Sequence, residues 1–214
     1  MKNKFTEMVF ILDRSGSMAG LESDTIGGFN ALISKQKKEP GTAFVTTVLF
    51  NDGTEMIHDR LNIEAVPVMT EREYTPGGCT ALLDAVGGTI DHIVSIHRYI
   101  RPEDVPEKTV VVLMTDGLEN ASHQYTLEQI RKKVEHEREK YDWEFLFLGA
   151  DINAVDTATG IGIHASRAAN FMHDDRGIDL CFDAMSHAIT SVQRRKPIPE
   201  SWRASVERDH NNRK

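Results

Sequence analysis

Met8-Val9-Phe10-Ile11-Leu12-Asp13-Arg14-Ser15-Gly16-Ser17 is the stretch that decides the fold. Five strongly apolar residues with no alternating polar position describe a strand buried on both faces, as in a parallel sheet covered by helices. The run ends in a carboxylate followed by hydroxyls at alternate positions, Asp13, Ser15 and Ser17. Three hard oxygen donors at the mouth of a sheet are a place to hold Mg²⁺ or Mn²⁺.

Similar apolar runs recur at Phe44–Phe50, Thr109–Met114 and Glu144–Leu148. Between them lie segments of helical period: Ile26, Phe29, Leu32 and Ile33; Leu82, Val86, Ile90 and Ile93; Leu127, Ile130 and Val134; then Ile178, Cys181, Met185, Ile189 and Val192. Strands alternating with amphipathic helices predict an α/β, doubly wound, mostly parallel sheet with helices on both faces. One connection breaks the alternation. Phe50-Asn51-Asp52-Gly53-Thr54 carries an Asp-Gly turn signal, so Thr54–Asp59 is expected as an antiparallel edge strand. With Asn170–Met172 as a short last strand, the sheet has six. Arg60–Gly78 reads as an extended crossing segment.

In such a sheet, ligands bind beyond the carboxyl ends of the strands, where strand order reverses. Asp116 follows Thr109–Met114 as Asp13 follows its own strand. Gly77-Gly78-Cys79-Thr80 runs into a helix expected over Thr80–Ile100, bringing a third segment and a further hydroxyl. The proposed metal ligands are therefore Asp13, Ser15, Ser17, Thr80 and Asp116.

These residues and their neighbours, Asp-Arg-Ser-Gly-Ser-Met at 13–18, Gly-Gly-Cys-Thr-Ala-Leu-Leu-Asp-Ala at 77–85 and Thr-Asp-Gly at 115–117, resemble a von Willebrand factor A (VWA) domain. The likeness spans about residues 5–193 and is nearest to intracellular bacterial and phage-type members. It implies a Rossmann-like fold with an intact metal-ion-dependent adhesion site. Ser15, Ser17 and Thr80 would coordinate Mg²⁺ (or Mn²⁺), with Asp13 and Asp116 acting directly or through water. It also implies a non-enzymatic module that captures an Asp or Glu of a protein partner, in the company of AAA+ ATPases, kinases or stress and defence complexes. Arg14, Met18, Leu118 and Glu119 are expected on the partner-binding rim. Asp84, one turn beyond Thr80, is either a supporting acceptor behind the hydroxyls or a helix-face acid paired with a neighbouring donor.

Composition limits the alternatives. At 214 residues and 40% hydrophobic, the chain supports one domain, expected over 1–193. From Arg194 onward seven Lys/Arg face three Asp/Glu, a net of +4 that leaves −12 on residues 1–193, out of −8 overall. Nucleic acid binding is therefore expected only through this basic 194–214 tail, which reads as disordered. A metal-dependent phosphohydrolase is the enzymatic alternative, but Asp13-Arg14-Ser15 lacks a second acid two positions on. No sequence signature places a general acid or base. Cys79 and Cys181 fit neither a disulfide framework nor a zinc site, and Cys79 reads as inert. No apolar stretch is long enough to span a membrane, and a cytoplasmic protein is expected.

Overall fold

A computed structural model describes residues 5–213. The six strands are β1 (Phe5–Asp13), β2 (Thr42–Phe50), β3 (Thr54–Asn62), β4 (Lys108–Thr115), β5 (Glu144–Ala150) and β6 (Ala168–Phe171). They form one sheet in the order β3-β2-β1-β4-β5-β6. Only β3 is antiparallel, joined to β2 by the hairpin at Asn51–Gly53. The helices are α1 (Glu22–Gln36), α2 (Leu82–Tyr99), α3 (Leu127–Tyr141), α4 (Ala154–Gly160), α5 (Asp175–Gln193) and α6 (Ala204–Arg213).

Period-two alternation along the central strands builds two cores, one on each face of the sheet. Met8, Phe10 and Leu12 of β1, with Val110 and Val112 of β4, pack towards α1 and α5. Val9 and Ile11, with Val111 and Leu113, pack towards α2, α3 and α4. The central strands β1, β4 and β5 are near-continuous apolar runs because both of their faces are covered, which is why β1 has no polar alternation to show. Strand order reverses between β1 and β4, which run parallel: β2 and β3 lie on one side of β1, and β4, β5 and β6 on the other. Leu12 pairs with Met114, so Asp13 and Asp116 emerge side by side at that switch point.

The expected disordered tail is instead folded. Ile198, Trp202 and Val206 are buried in the core beside α5. Trp202 Nε1 donates to the Ser166 carbonyl at 3.0 Å, and Arg203 Nη1 donates to the carbonyls of Ala165 and Ala168. The three apolar residues recur every four positions as an apolar stripe within a polar composition, Ile198 ahead of the 3-10 turn Glu200–Arg203, Trp202 within it and Val206 in α6. That stripe supplies enough apolar area to dock the segment along β6. Lys214 lies outside the described residues.

Candidate metal centre

Three loops converge at the switch point, held mainly by their own backbones. Asp13 Oδ1 accepts from Ser15 N at 2.7 Å, turning the chain sharply out of β1 and into the short turn Gly16–Met18. Gly16 N donates to the Gly78 carbonyl at 3.0 Å, and Gly77 N donates to the Arg14 carbonyl at 2.9 Å. The two loops are thereby laced together. A side chain at Gly78, whose φ is +79°, would collide with the Asp52 carboxylate, and Asp52 Oδ1 also accepts from Cys79 N at 2.8 Å. Asn51 Nδ2 donates to the Gly77 carbonyl at 2.8 Å. The β2–β3 hairpin thus sets the height of the glycine-rich turn.

The crossing segment contributes a prop beneath the site. Tyr74, 1% exposed, donates its phenol to the Asp13 carbonyl at 2.6 Å. Burial pushes that phenol far above its ordinary range, so it remains a neutral donor. From β4, Thr115 Oγ1 donates to Asp13 Oδ2 at 2.5 Å. Both oxygens of Asp13 are therefore engaged. Burial raises its pKa, the hydrogen bonds from Thr115 and Ser15 oppose that rise, and the nearby charge of Asp116 adds to it.

Thr80 sits at the entry to α2 without serving as its cap. The unpaired N–H groups of the first turn are taken by the following β4 loop: Leu83 N donates to Glu119 Oε2 at 2.9 Å and Asp84 N to Ser122 Oγ at 3.0 Å. Asn120 holds Thr80 in a reciprocal pair, accepting from Thr80 N at 2.9 Å and donating its own N–H to the Thr80 carbonyl at 3.1 Å. The Thr80 hydroxyl faces Gly117, where a Cβ would come within 3.1 Å of Oγ1. Ser15 Oγ lies 3.2 Å from Ser17 Oγ.

The donor set fits a hard divalent cation. Asp116 is 5% exposed, and neither of its carboxylate oxygens has a hydrogen-bond partner among the described residues. A buried carboxylate without donors costs free energy that a bound cation would repay. Hydroxyls at the spacing of Ser15 and Ser17 match neighbouring ligands of one ion, since cis ligands at about 2.1 Å stand about 3.0 Å apart in an octahedron. Among the described residues no cluster of three His, Cys, Asp or Glu suits a metal, so any ion here relies on the hydroxyls.

The rim differs from the sequence reading. Leu118 is exposed at 65%, but Met18 is 1% exposed and belongs to the core. Its side chain fills the space under the turn because the chain doubles back there. Arg14 is committed to Glu55 Oε2 at 2.7 Å and to the Glu73 carbonyl at 3.1 Å. Glu119 caps α2 and accepts from Ala121 N, Ser122 N and Ser122 Oγ, which leaves it a scaffold for the loop. Asp84 takes the paired alternative: it accepts from the backbone N–H groups of His123, Gln124 and Tyr125, each at 2.9 Å. Burial alone would raise its pKa, but these three donors outweigh it and hold Asp84 below the usual carboxylate range. Cys79 is exposed, and its hydrogen bond to Asp52 pushes the thiol up, away from reactivity.

Tyr74, Thr115, Asn51, Asn120 and His173 escape the sequence reading. His173 Nε2 comes to 3.0 Å of Asp116 Oδ2. Its one sequence signal is position, since it follows β6 as Asp13 and Asp116 follow their strands.

No family profile matches this sequence, and no curated protein matches it. Solved structures do. A von Willebrand factor type A protein from Catenulispora acidiphila superposes with a TM-score of 0.57 at 13% identity, over 87% of this chain and 43% of its own. The chain has the VWA fold. Proximal thread matrix protein 1 from the mussel byssus, with zinc in its adhesion-site motif, gives a TM-score of 0.58 at 14% identity over 86% of this chain and 45% of that one. Manganese-loaded TRAP protein of Plasmodium vivax gives 0.52 at 21% identity, over 70% of this chain and 58% of that one. The chain thus spans under half the length of the bacterial and mussel proteins. Within the VWA fold, α1 and α5 cover one face of the sheet and α2, α3 and α4 the other. Among the described residues no helix is long and apolar enough to cross a membrane.

Proposed function

We propose that the protein is a non-enzymatic binding module that holds one divalent ion, Mg²⁺ or Mn²⁺, on Asp13, Ser15, Ser17, Thr80 and Asp116, and uses its open coordination position to capture an Asp or Glu of a protein partner. The observation that carries this reading is the Asp116 carboxylate, buried without a donor beside a cluster of neutral hydroxyls. Ions in VWA folds of the mussel and plasmodial proteins support a metal at this place.

Neutral hydroxyls are the decisive chemistry. With few carboxylates bound directly, the ion keeps net positive charge and attracts a further hard oxygen. At about 4 Å that attraction grows from about 1 kcal/mol in water to about 4 kcal/mol in a partly buried site. It also overcomes the repulsion between an acidic partner and residues 1–193, whose formal charge is −12.

Hydrolysis is the weaker reading, because both oxygens of Asp13 are hydrogen-bonded and poorly disposed to attack phosphorus. An RNA-binding tail is weaker too. Arg194, Arg195, Arg203 and Arg213, four of the seven basic residues from 194 onward, are paired with Glu39, Glu107, Glu207 and the Asp174–Asp209 pair.

Affinity capture from the native cell tests the proposal, using the wild-type chain and Asp13→Ala, each with and without chelator. Partners lost in the mutant and in the chelated sample alike are the expected result. A partner set indifferent to both would overturn it.

A further inference from the structure

Seven buried side-chain atoms have no hydrogen-bond partner among the described residues, and three of them meet at one point: Asp116 Oδ1, Asp116 Oδ2 and His173 Nε2. His173 Nε2 and Asp116 Oδ2 are 3.0 Å apart, within ion-pair distance, yet neither atom has a hydrogen-bond partner. An imidazole and a carboxylate left free to pair as an ordinary ion pair would share a hydrogen bond. Two such atoms side by side, each without a hydrogen bond, are spaced as neighbouring ligands of a third body. The spacing agrees, since cis ligands at about 2.1 Å lie about 3.0 Å apart.

The topology permits this reach. Asp116 follows β4 and His173 follows β6, with β5 between them. That strand ends in Gly149 and Ala150, where Thr115 pairs with Gly149 and Ala150 with Phe171. Asp174, next to His173, caps α5 by accepting from Gly177 N at 2.8 Å, which fixes the chain at that corner.

Resting on the metal-site reading above, we propose that His173 Nε2 is a nitrogen ligand of the same ion, so that the centre favours a first-row transition ion over Mg²⁺. Oxygen donors alone suit Mg²⁺ and Mn²⁺, whereas imidazole adds affinity for Zn²⁺, Co²⁺ and Ni²⁺ and little for Mg²⁺. His173 is thereby the residue that sets metal selectivity; Asp13, both of whose oxygens are already hydrogen-bonded, then stands behind the ligands rather than on the ion, so that Ser15, Ser17, Thr80, Asp116 and His173 leave the sixth position open.

The test uses the full chain with metal alone. Zn²⁺, Co²⁺ and Mg²⁺ are titrated calorimetrically into wild type, His173→Ala and His173→Gln. Asp116→Ala serves to subtract ions held elsewhere by the other eight of the nine histidines. Circular dichroism verifies the fold of each variant. Both His173 variants are expected to lose roughly tenfold or more in Zn²⁺ and Co²⁺ affinity, with Mg²⁺ affinity changed by less than about threefold. Pulsed electron paramagnetic resonance of the Mn²⁺-loaded wild type is expected to show coupling to one directly bound ¹⁴N, absent from both variants. Unchanged Zn²⁺ affinity, or no nitrogen coupling in wild type, would overturn the role of His173 while leaving the oxygen site standing. Failure of wild type to bind any divalent ion more tightly than Asp116→Ala would overturn the metal centre itself.

Discussion

Asp116→Asn is expected to stabilise the metal-free protein while removing its response to metal. In the native state the Asp116 carboxylate is 5% exposed, lacks hydrogen-bond donors and lies close enough to Asp13 to raise the pKa of that residue. An unsatisfied buried polar group costs about 1–3 kcal/mol, with charged groups at the upper end. Replacing the carboxylate with an amide of the same shape removes the charge and offers Asp13 a donor. For a chain of this size each kcal/mol moves the thermal midpoint by about 2–4 °C, so a rise of roughly 2–12 °C in chelator is expected. Mn²⁺ at a hundredfold excess over its dissociation constant adds about 2.7 kcal/mol to a protein that binds it only when folded. Wild type should gain that increment and Asp116→Asn should not, so the variant's advantage over wild type shrinks by about 2.7 kcal/mol when metal replaces chelator. Circular dichroism melts of both proteins in both buffers give the four midpoints. An Asn variant less stable than wild type in chelator, or one that gains as much from Mn²⁺, would refute the reasoning.

Other elements yield their own tests. Asp84→Asn should lower stability by about 2 kcal/mol near neutral pH, because the ionised carboxylate holds three backbone N–H groups of the 123–125 loop. Since the pKa of Asp84 is depressed in the folded state, its contribution is present above the unfolded value and lost as pH falls through the folded one. Urea titrations at pH 7 and pH 3 should therefore show a gap between wild type and variant that is narrower in acid. Trp202→Ala should cost about 3–5 kcal/mol, since its ring is 2% exposed and its indole N–H is bonded to Ser166. A loss below about 0.5 kcal/mol would mean that the C-terminal segment does not pack. Gly28→Ala should cost about 1–3 kcal/mol by driving a methyl group into the Phe182 ring between α1 and α5, measured by the same urea unfolding.

β1, β4 and the residues proposed as ligands are legible in the sequence because both are compressed into local patterns. A doubly buried strand cannot hide its apolar run, and each ligand stands at a strand end or in a glycine-rich turn. The supports are invisible for the opposite reason. Tyr74 reaches Asp13 from 61 positions away and Thr115 from 102, through contacts that only the folded sheet creates. Met18 was misplaced because a residue after Asp-x-Ser-x-Ser looks exposed until the turn folds its side chain inward. The C-terminal segment misleads by composition: seven basic residues obscure an apolar stripe of three, Ile198, Trp202 and Val206. Their arginines pair with acids across the domain, such as Arg195 with Glu107 and Arg194 with Glu39, which no local pattern reveals.

The most direct measurement is a Mn²⁺ titration of the wild-type chain against Ser15→Ala/Ser17→Ala, followed by electron paramagnetic resonance with circular dichroism as the control for folding. One ion per wild-type chain, and none in an equally folded double variant, is the predicted result. Equal binding by the two proteins would contradict a centre built on neutral hydroxyls.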